Sequence, residues 1–245
     1  MLVFVNGTPV FIQLRDQNKK VFSKLKFAEI VARIIKEVDP NNEKCASTNP
    51  LGIEILNRPK AAKLNAALSE KNKNIIDKIA KSAFVFNFDS AKPSSQSESV
   101  KEFIHGNPFN RVHNKGVNVI WTKNGYSGVY CCHAMSEGIM PVIAFSECAK
   151  HTVFRKEKEV EVDNNVDLPD YEIQEFEKLD DDSNAVIESG LKDFETGFRD
   201  KLDVRLAEIK LGKKDLRPFK LHPDNLMQLA IQLAFYTEFT KFYCF

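Results

Sequence analysis

The segment from Ala83 to Phe88 constrains the fold of this chain more than any other part of the sequence. It consists mainly of aromatic and other apolar residues, which favour the extended backbone of a sheet. Asp89 follows it, and then a loop that contains several serines and a proline, which is typical of the end of a strand. We therefore predict a strand here, for which the rest of the chain has to supply neighbours.

Two hairpins and a series of helices are predicted around this strand. Asn6-Gly7 and Asn124-Gly125 tolerate the positive φ angles that tight hairpin turns require. Helices are recognised by apolar residues at helical spacing, and strands by alternation. The predicted strands cover residues 2–5, 9–14, 52–56, 83–88, 117–122, 126–132, 155–163 and 204–210, and the predicted helices cover residues 27–38, 59–68, 72–81, 98–105, 139–145, 183–201 and 223–239. This mixture predicts an α/β or α+β fold.

Charge and cysteine content narrow the class of protein. The 245 residues include 35 Lys plus Arg and 34 Asp plus Glu, a balance that gives no indication of a nucleic-acid partner. No apolar run approaches the roughly 20 residues of a membrane helix. Five cysteines without zinc-type spacing indicate reduced thiols and no metal site. We expect an intracellular protein without a transmembrane segment, in a compartment that the sequence does not resolve.

His133 is the strongest candidate for a catalytic residue. It follows the predicted strand 126–132, and the ends of such elements display side chains on a rigid scaffold. Glu137 lies four residues on, so a helical turn would bring both side chains to one face. A carboxylate there orients an imidazole that acts as general base, although ordinary structural histidines also have this spacing. Surface or capping roles are predicted for the other histidines, His105, His113, His151 and His222.

The sequence around His133 resembles a known family. It reads Phe-Ile-His-Gly-Asn-Pro-Phe-Asn-Arg at 103–111 and Cys-Cys-His-Ala-Met-Ser-Glu-Gly at 131–138. These motifs, after a strand that ends in aspartate, resemble the carnitine/choline O-acyltransferase family, and the second is most similar to its carnitine O-acetyltransferase version. The resemblance implies that His133 is the catalytic base and that Glu137 orients it. Val112 departs from the family pattern, which has tryptophan at this place.

A second resemblance covers residues 211–224, which look like the coenzyme A segment of the same family. The resemblance implies that Lys213 and Arg217 meet the coenzyme A phosphates, and that Lys220 and Asp224 complete the segment. Clustered cations suit the 3′-phosphate and the pyrophosphate. Without the resemblance, a solvated surface turn is the ordinary interpretation of such a basic loop.

The resemblance also implies a fold and a reaction. The fold is α/β, with two related chloramphenicol acetyltransferase-like domains that are present only in part. Residues 1–175 correspond to most of the first domain, and residues 176–245 to the opening part of the second. The reaction is acyl transfer between coenzyme A and the hydroxyl of carnitine, with acyl-coenzyme A as co-substrate and no permanently bound cofactor.

Two questions stay open at this point. The family carries a Ser-Thr-Ser motif in a second half that we do not find in this sequence, so we expect a partial product. The alternative to an enzyme is therefore a truncated, non-catalytic coenzyme A-binding remnant. Acyl-chain length, and carnitine rather than choline as the acceptor, also stay open.

Overall fold

The computed structural model describes residues 1–16, 18–39, 48–82, 84–135, 137–151 and 169–239. The chain divides into two compact units, Met1–Val204 and Arg205–Phe245. Strands and helices alternate in the first unit, which confirms the α/β class. The strand predicted at 155–163 lies outside the described residues.

The first unit is built on a mixed sheet. Its strands are β1 (Leu2–Val5), β2 (Thr8–Ile12), β3 (Val85–Asp89), β4 (Asn118–Thr122), β5 (Ser127–Tyr130) and β6 (Tyr171–Ile173). The order across the six strands is β5-β4-β3-β1-β2-β6. β1, β3 and β4 run parallel to one another, whereas β2, β5 and β6 are antiparallel to their neighbours.

Helices and short helical turns connect these strands. The helices of the first unit are α1 (Lys24–Val38), α2 (Arg58–Ala67), α3 (Glu70–Lys81), α4 (Gln96–His105), α5 (Ile139–His151) and α6 (Asp181–Phe194). Several begin earlier than apolar spacing predicts, because a polar side chain caps the first turn. Ser23 accepts a hydrogen bond from the Lys26 amide at the start of α1, and Ser69 does the same for the Asn72 amide at the start of α3.

The core lies on both faces of β1, whose four residues are all buried. Successive side chains of a strand point to opposite faces, so Leu2 and Phe4 pack against α3 on one side. Val3 and Val5 pack against α1 on the other side. Full burial of each such side chain contributes roughly 1.5–3 kcal/mol, which makes β1 the central element of this unit.

The first hairpin turns at Asn6-Gly7, as predicted. Both residues have positive φ, 48° and 96°, as the favoured two-residue turn between antiparallel strands requires. The turn sets the register of β1 and β2, in which Val5 faces Thr8 and Leu2 faces Phe11. This register places the apolar residues of both strands in the core.

The strand predicted at residues 52–56 is wrong, because a 3-10 helix covers Pro50–Ile55. Proline fixes a φ angle that suits the first helical turn, and the Asn49 side chain accepts a hydrogen bond from the Leu51 amide (2.9 Å). Alternation of apolar residues over five positions is too short a signal to outweigh this capped start.

The second unit also differs from its prediction. Residues 204–210, predicted as a strand, have no regular structure, and the described part of this unit contains no strand to pair with them. The unit contains α7 (Lys213–Leu216), a 3-10 turn (Arg217–Phe219) and α8 (Pro223–Phe239), the last of which confirms the predicted final helix.

The units divide between Val204 and Arg205, whereas the sequence suggested a boundary after residue 175. Helix α6 packs on α2 and on the 3-10 helix Pro50–Ile55, where Leu64, Phe109 and Ile187 form a buried cluster. It therefore belongs to the first compact unit. The domain boundary near residue 175, which the resemblance to the family implies, stays a prediction.

A buried polar network fixes the segment that leads into β4. The side chains of Arg111 and Asp89 form an ion pair and are only 1% and 4% exposed. The Asn110 amide donates to the Asp89 carboxylate (2.5 Å) and to the Phe88 carbonyl (3.1 Å), and its oxygen accepts from the Gly7 amide (2.8 Å). The end of β3, the first hairpin and the entry to β4 are thereby joined.

Helix α4 and β5 approach closely at Gly128. A Cβ atom at this position would lie 2.3 Å from two ring atoms of Phe103. Such a distance is far inside van der Waals contact, so the glycine is required for α4 to pack on the hairpin of β4 and β5.

We expect Arg111→Met to lower the free energy of unfolding by about 3–5 kcal/mol, because it leaves the Asp89 carboxylate buried and unpaired. Urea unfolding followed by circular dichroism measures the loss. The matched control is Lys73→Met, which removes an exposed ion pair with Glu70 (3.3 Å) and is expected to cost about 0–1 kcal/mol. Equal losses in the two variants would contradict the importance of the buried pair.

We expect Gly128→Ala to destabilise the chain by about 1–3 kcal/mol, because the Phe103 ring has to leave its position. Gly197→Ala is the control, since a Cβ atom there meets nothing within 4 Å. The control is expected to be neutral or to gain about 0.5–1 kcal/mol, because Gly197 lies in the π-helical turn Glu195–Arg199 and glycine inside a helix is less stable than alanine. Thermal melts that shift equally for both variants would rule out the close approach.

Candidate functional site

His133 lies just beyond the hairpin of β4 and β5. The strand β5 ends at Tyr130, two residues earlier than predicted, because β4 provides no further ladder partner. Cys131 and Cys132 have no regular structure, and a turn begins at His133. The His133 side chain is exposed, so a substrate can reach its imidazole without displacing the core.

Among the described residues, neither His133 nor Glu137 belongs to a helix. The Met135 amide donates to the Cys132 carbonyl (3.0 Å) in the turn, and α5 begins only at Ile139. The roles of His133 as base and Glu137 as its partner stay predictions.

Two titratable groups with shifted pKa values lie near the end of β5. Burial raises the pKa of Glu54, although a hydrogen bond from the Asn114 amide (3.3 Å) and the charge of Lys115 oppose the rise. Burial also raises the pKa of Tyr130, and the negative charges of Cys132, Glu54 and Cys131 add to the effect. Both groups are therefore biased towards their neutral forms.

His113 packs edge-on against Tyr130, with ring centroids 5.5 Å apart. Burial, and then the nearby positive charge of Arg111, lowers the pKa of His113 to about 4. Its imidazole is therefore neutral at neutral pH. Its Nε2 atom is buried and has no hydrogen-bond partner among the described residues.

The other histidines divide into two groups. A surface role is wrong for His105, which is only 4% exposed at the end of α4, and His113 is half-buried against Tyr130. The prediction is confirmed for His222, whose Nδ1 atom accepts from the Asp224 amide (3.3 Å) at the start of α8. The side chain of His151 lies outside the described ones.

The predicted coenzyme A segment lies in the second unit. Lys213 and Arg217 are one helical turn apart, since the Arg217 amide donates to the Lys213 carbonyl. Both side chains are exposed, as are those of Lys220 and Asp224. Exposed cations one turn apart suit phosphate groups. The binding roles of all four residues stay predictions.

The described residues contain neither a metal cluster nor a membrane-spanning helix. In the part of the chain that the structure describes, no group of three His, Cys, Asp or Glu side chains is placed to hold a metal ion. Each helix in those ranges is too short or too polar to cross a bilayer.

The sequence reasoning missed Glu54, His113 and Tyr130, which lie near one another at the end of β5. Tyr130 could have been found from its place in the strand that leads to His133. Glu54 is far from His133 in the sequence, and its position depends on the 3-10 helix that alternation had predicted as a strand. No sequence signal marks it.

Comparison with known proteins gives the same family as the motifs. The model of the Choline/Carnitine o-acyltransferase family matches residues 1–245, the whole chain. Human peroxisomal carnitine O-octanoyltransferase is 29% identical over 188 residues, which are 72% of this chain and 29% of that protein. Human mitochondrial carnitine O-palmitoyltransferase 2 is 23% identical over 254 residues, which are 98% of this chain and 36% of that protein.

A further relative is the mitochondrial carnitine O-palmitoyltransferase 2 of Xenopus tropicalis, 25% identical over 71% of this chain and 27% of that protein. The chain thus spans about a third of the length of the curated relatives that it matches. The closer resemblance to the acetyltransferase version of the motif stays a prediction. The match over all 245 residues shows that the chain belongs to the choline/carnitine O-acyltransferase family.

Proposed function

We propose that this chain carries the general base and the coenzyme A segment of an enzyme that transfers acyl groups between coenzyme A and carnitine. The observation that supports this most is the exposed His133 at the end of a fixed hairpin, in a chain that belongs to the family along its whole length. A base has to be accessible to its substrate and held by a rigid element, and this histidine meets the first condition directly.

The proposed reaction needs no covalent enzyme intermediate. The neutral His133 imidazole takes the proton of the carnitine hydroxyl, and the oxygen attacks the acyl carbonyl carbon of acyl-coenzyme A. When the tetrahedral intermediate collapses, the coenzyme A sulfur leaves and receives the proton from the imidazolium. Both substrates bound together make this direct transfer favourable. The oxyanion of the intermediate needs a hydrogen-bond donor, which we do not assign to this chain.

In the proposed enzyme, the second unit binds the other substrate through its phosphates. Lys213 and Arg217 are assigned to the phosphate groups of coenzyme A, with Lys220 and Asp224 at the end of the same segment. Two cations one helical turn apart supply charge-assisted hydrogen bonds to several phosphate oxygens. Because the side chains are exposed, a bulky nucleotide is able to approach them.

A second candidate function is a non-catalytic coenzyme A-binding remnant. The start of α5 at Ile139, beyond both His133 and Glu137, favours it, because the two side chains are then not held on one helical face. A general base without an orienting partner is less effective. Coenzyme A binding without acyl transfer would support the remnant, whereas turnover would support the enzyme.

We also propose an intracellular location. The relatives compared above are named as peroxisomal and mitochondrial proteins, and they do not decide between these compartments for this chain. Fractionation of cells that express a tagged chain tests the location.

We expect His133→Ala to lower acyl transfer by roughly 10²–10⁴-fold, the usual contribution of a general base. The assay follows release of the coenzyme A thiol from acyl-coenzyme A and carnitine, in this chain or, if it has no turnover, in a chain completed from its transcript. Coenzyme A binding should persist, because the proposed binding residues lie elsewhere.

Two controls accompany this variant. Met135→Ala alters an exposed side chain of the same turn without removing a titratable group, and should keep most activity. Glu137→Gln should slow the reaction less than His133→Ala, and Glu147→Gln on α5 should leave it unchanged. Wild-type turnover in His133→Ala would show that another group is the base.

We expect Lys213→Ala combined with Arg217→Ala to weaken coenzyme A binding by roughly tenfold or more, since hydrogen bonds to charged groups contribute about 1.5–3 kcal/mol each. Binding of dephospho-coenzyme A should change much less, because it lacks the 3′-phosphate. Calorimetric titration measures both ligands. The control, Lys210→Ala with Lys214→Ala, removes the same charge. Equal losses for both ligands would place the two side chains away from the 3′-phosphate.

A further inference from the structure

Two adjacent thiols separate β5 from His133. Cys131 and Cys132 were expected on a strand, with their side chains on opposite faces. In the structure β5 ends at Tyr130, so the ladder holds neither cysteine. Both carry free thiols and are half-buried. Their backbone is thus able to change its dihedral angles without loss of a sheet hydrogen bond.

The surroundings keep both thiols close to the turn. Cys131 lines an apolar groove of about 580 Å³ between the end of β5 and α5, together with Val142 and Phe145. Burial raises the pKa of Cys131. The charges of both cysteines add to the rise in the pKa of Tyr130.

A disulfide between adjacent cysteines has an unusual geometry. Their Cα atoms are about 3.8 Å apart, whereas ordinary disulfides join Cα atoms roughly 4.4–6.8 Å apart. The resulting bond is strained, and strained disulfides are easily reduced. We propose that Cys131 and Cys132 form a reversible modification site that is oxidised by low-molecular-weight disulfides, and that this oxidation displaces His133.

The chemistry consists of two thiol–disulfide exchanges. The Cys132 thiolate attacks a sulfur of the small disulfide, so a mixed disulfide forms and one small thiolate leaves. The Cys131 thiolate then attacks the Cys132 sulfur and expels the second small thiolate. Two electrons pass from the protein to the small disulfide, and the two protons lost by the cysteines end on the released thiols. Cys132 attacks first because burial disfavours the Cys131 thiolate.

Ring closure changes the backbone that positions the imidazole. The Cys132 carbonyl accepts the hydrogen bond of the Met135 amide (3.0 Å) that forms the turn. Ring closure changes the backbone dihedral angles of Cys132, and the direction of its carbonyl depends on these angles. A misplacement of about 1 Å is able to cost roughly 10²-fold in rate. The effect on acyl transfer rests on the proposed function, whereas the modification itself does not.

The modification is tested with oxidised glutathione as the probe and with a variant in which Cys45, Cys148 and Cys244 are all replaced by serine. We expect the intact mass to fall by two hydrogen atoms, with no glutathione left on the protein, and to return after reduction. When Cys131→Ser or Cys132→Ser is introduced into this variant, one stable glutathione adduct should remain on the protein in each case. The proposal would be overturned if the triple-serine variant kept two stable glutathione adducts or if its thiols did not react. It would also be overturned if a disulfide to Cys148 formed in the unsubstituted chain.

The displacement is tested separately from activity. The NMR signals of the His133 imidazole, assigned by loss in His133→Ala, should shift on oxidation and return on reduction. Unchanged signals in the oxidised protein would overturn the displacement. Where the reduced chain has turnover, oxidation should lower it by roughly 10²-fold, and reduction should restore it. Cys132→Ser cannot close the ring and should not show this loss. A disulfide with shifted imidazole signals, but without turnover in either the reduced chain or a chain completed from its transcript, would contradict the proposed function alone.

Discussion

A buried ion pair between Asp89 and Arg111 holds together the parts of the first unit that support the candidate base. Removal of such charges from water costs several kcal/mol per ion, so the pair is stable only when neighbouring groups bind its remaining atoms. The Asn110 amide binds the carboxylate, and the carbonyls of Asn110 and Glu102 accept from the guanidinium (3.1 and 3.5 Å). The end of β3, the loop after α4 and the entry to β4 therefore act as one rigid support.

The hairpin of β4 and β5 extends from this support and carries its rigidity towards His133. Trp121 on β4 stacks on Phe86 and Phe88, with ring centroids 5.2 Å apart in both pairs, and Phe103 presses on β5 at Gly128. This packing ends at Tyr130. The backbone therefore fixes the position of His133, but no described side chain fixes the orientation of its ring. In the proposed enzyme, the bound substrate or Glu137 would have to supply this orientation.

Much of the fold could be predicted from local patterns, since β1, β3, the Asn6-Gly7 turn and α8 each have a strong signal in their own residues. Predictions failed where partners decide the structure. Residues 52–56 alternate like a strand, but a proline and a capping side chain start a 3-10 helix there. Residues 204–210 also alternate, yet a strand forms only beside another strand. The three-residue β6 was missed because its order depends on pairing with β2, a contact between segments far apart in the sequence.

For the candidate site, spacing predicted which residues lie close in the chain but not how the chain bends between them. The four-residue step from His133 to Glu137 brings side chains together only on a helix, and α5 starts at Ile139, beyond both residues. The early end of β5 also leaves Cys131 and Cys132 outside the ladder. The last residue of β5 therefore decides both how firmly the backbone holds His133 and whether the two cysteines are fixed by sheet hydrogen bonds.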